Sequence, residues 1–220
     1  MPRLVVTAAL LSLGTMPATA KDLTVTFIAH AAVHITDGQA AVLVDFPYDP
    51  GTQFMPWSAD AVPSRPKALC LITHGHRDHF VPEIARRFCD RVLGPRAAVA
   101  EAGVELVPLR PTVRWKGLTI SAIASPHETE HYCYLLDWHG VRLYFTGDAE
   151  SPEALLAARS IDAAFVRPGL LIAVKKVGGH IDARTVISYH HRPTDPVPNF
   201  QDRVIPQLGQ QWTLRASSAK

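Results

Sequence analysis

Residues 73–79 of this 220-residue chain read Thr-His-Gly-His-Arg-Asp-His. They follow a short apolar run, Ala68-Leu69-Cys70-Leu71-Ile72, bounded by Pro66 and Gly75. Such a run reads as a buried strand. A strand that ends in three imidazoles and a carboxylate within six residues limits what the fold can be: it must hold that turn rigid and close to other polar groups. Neutral imidazole and carboxylate suit zinc and its borderline neighbours. In a tight turn His74 and His76 can reach one ion, while Asp78 and His79 can reach a second beside it. A solvated polar turn would explain one such histidine, but not four potential ligands in register.

The remaining candidates obey the same rule, each standing just after a predicted strand. His127 follows Leu118–Ala124, Asp148 follows Val141–Thr146, and His190 follows Thr185–Tyr189. Strand ends that converge on one sheet edge bring distant side chains into a single rigid site. Either His190 or His191 fits the last strand's pattern, and His190 is preferred. His127 and His131 both follow their strand; a family resemblance, set out below, favours His127 and leaves His131 a supporting residue. His180, past Gly178-Gly179, reads as a helix-end residue near the C-terminal dipole. His30 is placed at the pocket edge or in the core, His34 on a strand face, and His139 at a turn tip.

Around these positions the pattern is mixed α and β. Leu23, Val25 and Phe27 alternate with threonines, and Asp37-Gly38 turns a hairpin between Val33–Thr36 and Ala40–Val44. Prolines punctuate 46–66, a long loop whose Tyr48, Phe54, Met55 and Trp57 could wall a pocket. Helices are expected at Val81–Phe88, at Arg96–Ala102, after an N-cap Ser151, and at Leu170–Val177. Strands are expected at Val104–Leu109 and Tyr132–Leu136, with a turn at Asp137–Gly140. The tail beyond Pro193 is expected to be helical near Phe200–Gln207.

Hydrophobic residues make up 47% and charged ones 19%, enough for one sizeable core. A formal net charge of +2 gives no footprint for nucleic acid. Residues 1–20 combine Arg3, an apolar run from Leu4 to Gly14, and Ala18-Thr19-Ala20. That is the pattern of a cleaved signal peptide, too short in its apolar part to span a bilayer. The expected product is one exported domain over 21–220, periplasmic or secreted, without stable membrane insertion. Three cysteines permit at most one internal disulfide, and Cys70 and Cys133 read first as small core residues.

The chain resembles the metallo-β-lactamase-fold hydrolases. The matching segments are His74-Gly-His76-Arg-Asp78-His79, Pro126-His127-Glu-Thr-Glu-His131, Thr146-Gly147-Asp148 and a last strand ending in His190, in the family's order. Ile28-Ala29-His30-Ala31 is similar to the ascorbate-lactone hydrolase branch, and the second segment to the glyoxalase II branch. The resemblance implies an α/β (α+β) four-layer αβ/βα sandwich. It also implies two divalent ions, with zinc expected: His74, His76 and His127 would hold the first, Asp78, His79 and His190 the second, and Asp148 would bridge them. Such a pair of ions would activate water against an ester, lactone or phosphodiester in a small-molecule substrate, with Asp78 also catalytic. Alternatives implied by the same family are a mononuclear iron sulfur dioxygenase and a metal-binding protein without turnover. The interval from Asp148 to His190 is short, with room for only one small helix after Val166. Nothing corresponds to the extra helical domain of thioester-hydrolysing members, which argues against a glutathione thioester, and Asp148 itself argues against β-lactam hydrolysis.

Overall fold

A computed structural model of the chain describes residues 21–46, 59–127, 130–192 and 194–215. The proposed signal peptide and Tyr48, Phe54, Met55 and Trp57 of the 46–66 loop lie outside the described residues.

Two seven-stranded sheets face each other. The first contains β1 (Leu23–Ala29), β2 (Ala32–Thr36), β3 (Ala41–Val44), β4 (Ala68–Leu71), β5 (Cys89–Leu93) and β6 (Glu105–Leu106). The second runs in reverse order, from β7 (Thr112–Trp115), β8 (Leu118–Ala124), β9 (Tyr132–Trp138) and β10 (Val141–Phe145) to β11 (Ile161–Val166), β12 (Ala183–Ser188) and β13 (Arg203–Val204). Strand β14 (Gln211–Leu214) returns to pair antiparallel with β1. Each sheet is antiparallel in its hairpins, and parallel along β3-β4-β5-β6 and β10-β11-β12-β13.

The period-2 alternation of strands sorts the second sheet's side chains into two cores. Tyr134, Leu136, Leu143, Phe145, Ala163 and Phe165 pack toward the first sheet. Their neighbours Cys133, Tyr144, Ala164 and Val166 pack in a second cluster with Leu155 of α3 (Glu153–Ala157) and Leu170, Leu171 and Val174 of α4 (Pro168–Lys176). On the other side, α1 (Pro82–Phe88) and α2 (Arg96–Val99) supply Ala85, Phe88 and Val99 to the first cluster. The layers are helix, sheet, sheet, helix.

Four expectations are corrected. The tail after Pro193 is β13 and β14 rather than helix, because both sheets offer an edge that its alternating residues can pair with. Cys70 is not a free core thiol: it is disulfide-bonded to Cys89, while Cys133 is free and buried. Ser151 is not a helix cap, since Pro152 holds that position and no side-chain bond caps α3. The Val104–Leu109 strand shrinks to Glu105–Leu106, and a hairpin strand, β7, precedes β8 where the sequence suggested none.

Candidate metal centre

The parallel strands β3, β4, β10 and β12 end at the same edge of the sandwich, and the polar residues gather there. Two left-handed residues turn the chain into the site after their strands: Asp45 (φ 46°) just past β3 and His190 (φ 56°) just past β12. His30 (φ 49°) does the same after β1, whose register shifts between Phe27 and Ala29. Non-glycine residues pay a steric cost there, and such strain clusters at functional sites. The His190 amide donates to the His30 carbonyl at 2.9 Å, tying the two sheets together across the site.

Asp148 needs Gly147 before it. Gly147 has φ +49°, and a Cβ on it would lie 2.7 Å from His131 Nε2 and 2.8 Å from Thr73 Oγ1, so the two sheet ends close here only around a hydrogen. Its amide donates to the Tyr189 hydroxyl at 2.9 Å. The next amide, that of Asp148, donates to His131 Nε2 at 3.0 Å. His131 is thereby occupied in holding the Asp148 turn.

The structure brings all seven candidate ligands of the sequence together, in two groups. One holds His74, His76, His127 and Asp148; the other holds Asp78, His79 and His190, joined by His30. Asp148 faces both: its Oδ1 lies 3.1 Å from His190 Nε2 and 3.5 Å from His79 Nε2, and its Oδ2 lies 3.7 Å from His127 Nε2. Asp78 Oδ2 lies 3.3 Å from His30 Nε2 and 3.6 Å from His190 Nε2. His191 turns away, its Nδ1 3.0 Å from the Arg192 carbonyl oxygen. His180 stands elsewhere, in a recess with Ala183, Gln201 and Asp202.

Three residues that sequence reasoning left out orient these ligands. Asp45, fully buried, accepts the Thr73 amide and the Thr73 hydroxyl at 2.8 Å each. The same carboxylate lies 2.8 Å from His79 Nδ1. A carboxylate only accepts, so His79 Nδ1 carries the proton of that bond. The Thr73 hydroxyl, having donated to Asp45, can accept from His74 Nδ1 at 3.0 Å. Both histidines are thus held with Nε2 toward the site. Glu150 plays the third part, its Oε1 lying 3.1 Å from His127 Nδ1. A polar residue directly after a strand or a ligand was the available signal: Asp45 follows β3, and Glu150 comes two residues after Asp148.

The donor chemistry fits a cation. His79 Nε2 and His190 Nε2 point at each other at 2.8 Å, as do His74 Nε2 and His76 Nδ1 at 2.9 Å. Among the described residues, the buried His127 Nε2 and Asp148 Oδ1 have no hydrogen-bond partner. Burial pushes the His74 pKa down to about 2, so that its lone pair is free at neutral pH. Burial would raise the carboxyls of Asp78 and Asp148. The imidazoles of His190 and His30 beside Asp78 hold it below its ordinary range, and that of His79 beside Asp148 does the same there. His79 behaves oppositely: burial works against its charge, but the Asp45 carboxylate outweighs it and raises the pKa to about 10. Asp45 thus favours positive charge on this ring, which a cation at Nε2 would supply in place of a proton. Burial lowers His30 to about 4 against the pull of Asp78.

Solved structures of similar fold include YhfI from Bacillus subtilis, a metallo-β-lactamase-fold protein. It is 13% identical with TM-score 0.67, and the match covers 88% of this chain and 99% of that one. Igni18, a metallo hydrolase from Ignicoccus hospitalis, is 16% identical with TM-score 0.67 and the same coverage, 88% and 99%. CmlA, a diiron β-hydroxylase from Streptomyces venezuelae, is 16% identical with TM-score 0.61, covering 91% of this chain and 55% of that one. At these identities the likeness shows the shared fold. No curated protein matches the chain. A family model described as the beta-lactamase superfamily domain matches residues 24–169. That span takes in strands of both sheets and six of the seven candidate ligands, so the chain belongs to the β-lactamase superfamily, in its metallo-β-lactamase fold.

Proposed function

We propose that the chain is a metal-dependent hydrolase that uses two divalent ions, zinc being the expected pair, to direct water onto an ester, lactone or phosphodiester. The observation that supports it most is the position of Asp148, one oxygen facing His79 and His190 and the other facing His127. His74, His76 and His127 would hold one ion, Asp78, His79 and His190 the other, and Asp148 both. Bound there, the ions supply Lewis acidity and lower the pKa of water from about 15.7 to about 7. Asp78 is ionised and reaches into the same space, with His30 and His190 fixing its Oδ2. It can take a proton from the attacking water and return it to the leaving oxygen. His131 and Gly147 hold Asp148 in place, and Asp45 and Glu150 hold the rings. The signal-like N-terminus supports export to an oxidising compartment, with which the Cys70–Cys89 disulfide is compatible.

Metal analysis of the purified protein, together with a panel of esters, lactones and phosphodiesters, tests the reading. About two zinc per chain with turnover of one of these classes is expected. One iron with oxygen consumption would point to a dioxygenase instead, and full occupancy without turnover to a binding protein.

A further inference from the structure

Beside the candidate metal centre lies a cavity of about 790 Å³, a volume typical of small-molecule sites. None of the candidate ligands lines it, yet it adjoins them. Gly94 in its wall packs on Ile72, where an added Cβ would come within 2.9 Å of the Ile72 Cβ. Tyr132, also in the wall, donates its amide to the Thr73 carbonyl at 2.9 Å. Ala124, at the end of β8, is followed by Ser125, Pro126 and His127. The cavity wall is therefore built on the segments that lead into the turn carrying His74 and His76 and the loop carrying His127.

Most of its wall is apolar, with Val99, Val107, Leu109 and Ala122 exposing hydrocarbon. Two guanidinium groups interrupt it, those of Arg96 and Arg110, and both side chains are exposed. The arginines of α1 and β5 are paired: Arg86 with Glu83, Arg87 with Asp60 and Arg91 with Glu105. Among the described residues Arg96 and Arg110 have no ion pair. Glu130, the carboxylate of this wall, accepts from the Tyr132 hydroxyl at 3.2 Å. An apolar trough carrying two unpaired cations matches a ligand with a hydrocarbon body and an oxyanion, which arginine's planar fork can grip at two points.

We propose that this cavity binds the part of the substrate remote from the scissile bond, and that this part is an aliphatic or aromatic body ending in a carboxylate or phosphate held by Arg96 and Arg110. The proposal rests on the hydrolase reading for its orientation toward the metal centre. Binding energy from such a remote group can be used to position the reacting bond.

Two measurements on the metal-loaded full-length protein test it. In calorimetry with hexanoate, hexyl phosphate and hexanamide, at least one anion is expected to bind about tenfold more tightly than the amide, as a charge-assisted contact should. In Arg96→Gln/Arg110→Gln that advantage should fall to within about twofold. The tighter of the two anions identifies the oxyanion. An advantage that survives in the double variant, as it would for a carboxylate gripped by the metals, overturns the proposal, as does amide binding equal to both anions. The second measurement is the ratio of kcat/KM for mono-4-nitrophenyl adipate over 4-nitrophenyl butyrate, expected to favour the anionic ester about tenfold and to collapse in the same variant. Turnover of neither ester, lactones or phosphodiesters would sink the hydrolase reading alone, because the calorimetry stands without catalysis. Turnover with no preference for the anion would sink the cavity proposal alone.

Discussion

Asp45 governs two imidazoles while belonging to neither group of candidate ligands. It accepts directly from His79, and through the Thr73 hydroxyl it fixes His74, so one buried carboxylate sets two tautomers. Glu150 does the same for His127 alone, and from a more exposed position. Partners of this kind orient ligands and raise their basicity. Replacing Glu150 by Ala should weaken cation binding by about 10- to 100-fold, read by competition against a chromogenic chelator. Affinity equal to wild type would remove Glu150 from that role. Asp78 is the residue with both a binding and a catalytic part. Asp78→Ala is expected to release one ion more readily than the other and to lower kcat by at least about 100-fold. Metal stoichiometry and turnover, measured on the same preparation, check both, and full activity would exclude it from the site.

At the level of elements, the β4-to-β5 connection is the unit that carries most of the chemistry. Cys70 lies in β4 and Cys89 begins β5, so their disulfide closes a ring that contains His74, His76, Asp78, His79 and α1. The sequence separation is 19. A covalent ring of this size restricts the unfolded chain, and removing it should cost about 3 kcal/mol. Cys70→Ser/Cys89→Ser should therefore show a lower denaturant midpoint, with a slope that rises as the unfolded chain expands. The four ligand candidates inside the ring should also lose cation affinity when it is opened. Equal midpoints for the two proteins would show that packing of Phe88 and Ala85 under the sheet already holds the segment.

For the whole molecule, the far end of the sandwich is joined by its hairpin turns. His139, between β9 and β10, lies 3.0 Å from Asp37, between β2 and β3. The buried interior also sets an acid limit. His34, on β2 and well away from the candidate ligands, is buried, and its Nε2 has no hydrogen-bond partner among the described residues. Burial lowers its pKa from 6.5 to about 4. The unfolded chain binds a proton at this ring below pH about 6.5, whereas the folded chain does so only near 4, so acidification through that window favours unfolding. The lost stability is on the order of 3 kcal/mol. His34→Leu should unfold at lower pH than wild type in chelator-treated samples, with the two curves converging above pH about 7. Parallel acid limbs would assign the loss to other groups.

The hydrophobic alternation of β1, β8 and β10, the Asp37-Gly38 hairpin, and the His74–His79 turn after a buried strand all follow from local rules, in which period and turn chemistry are written in neighbouring residues. The seven candidate ligands could be named for the same reason, since each stands where a strand runs out. Tertiary structure alone decided the rest. Residues 203–204 and 211–214 became strands because both sheets had unpaired edges to offer, and Cys70 chose Cys89 because adjacent parallel strands set their Cα atoms 5.7 Å apart. Asp45 and Glu150 acquired their roles only when distant strand ends met, and His30 joined Asp78 across 48 residues of chain. A side chain's type and its neighbours in sequence say what chemistry it could do. Which lone pair it finally presents, and to what, depends on hydrogen bonds made between segments that meet only in the folded molecule.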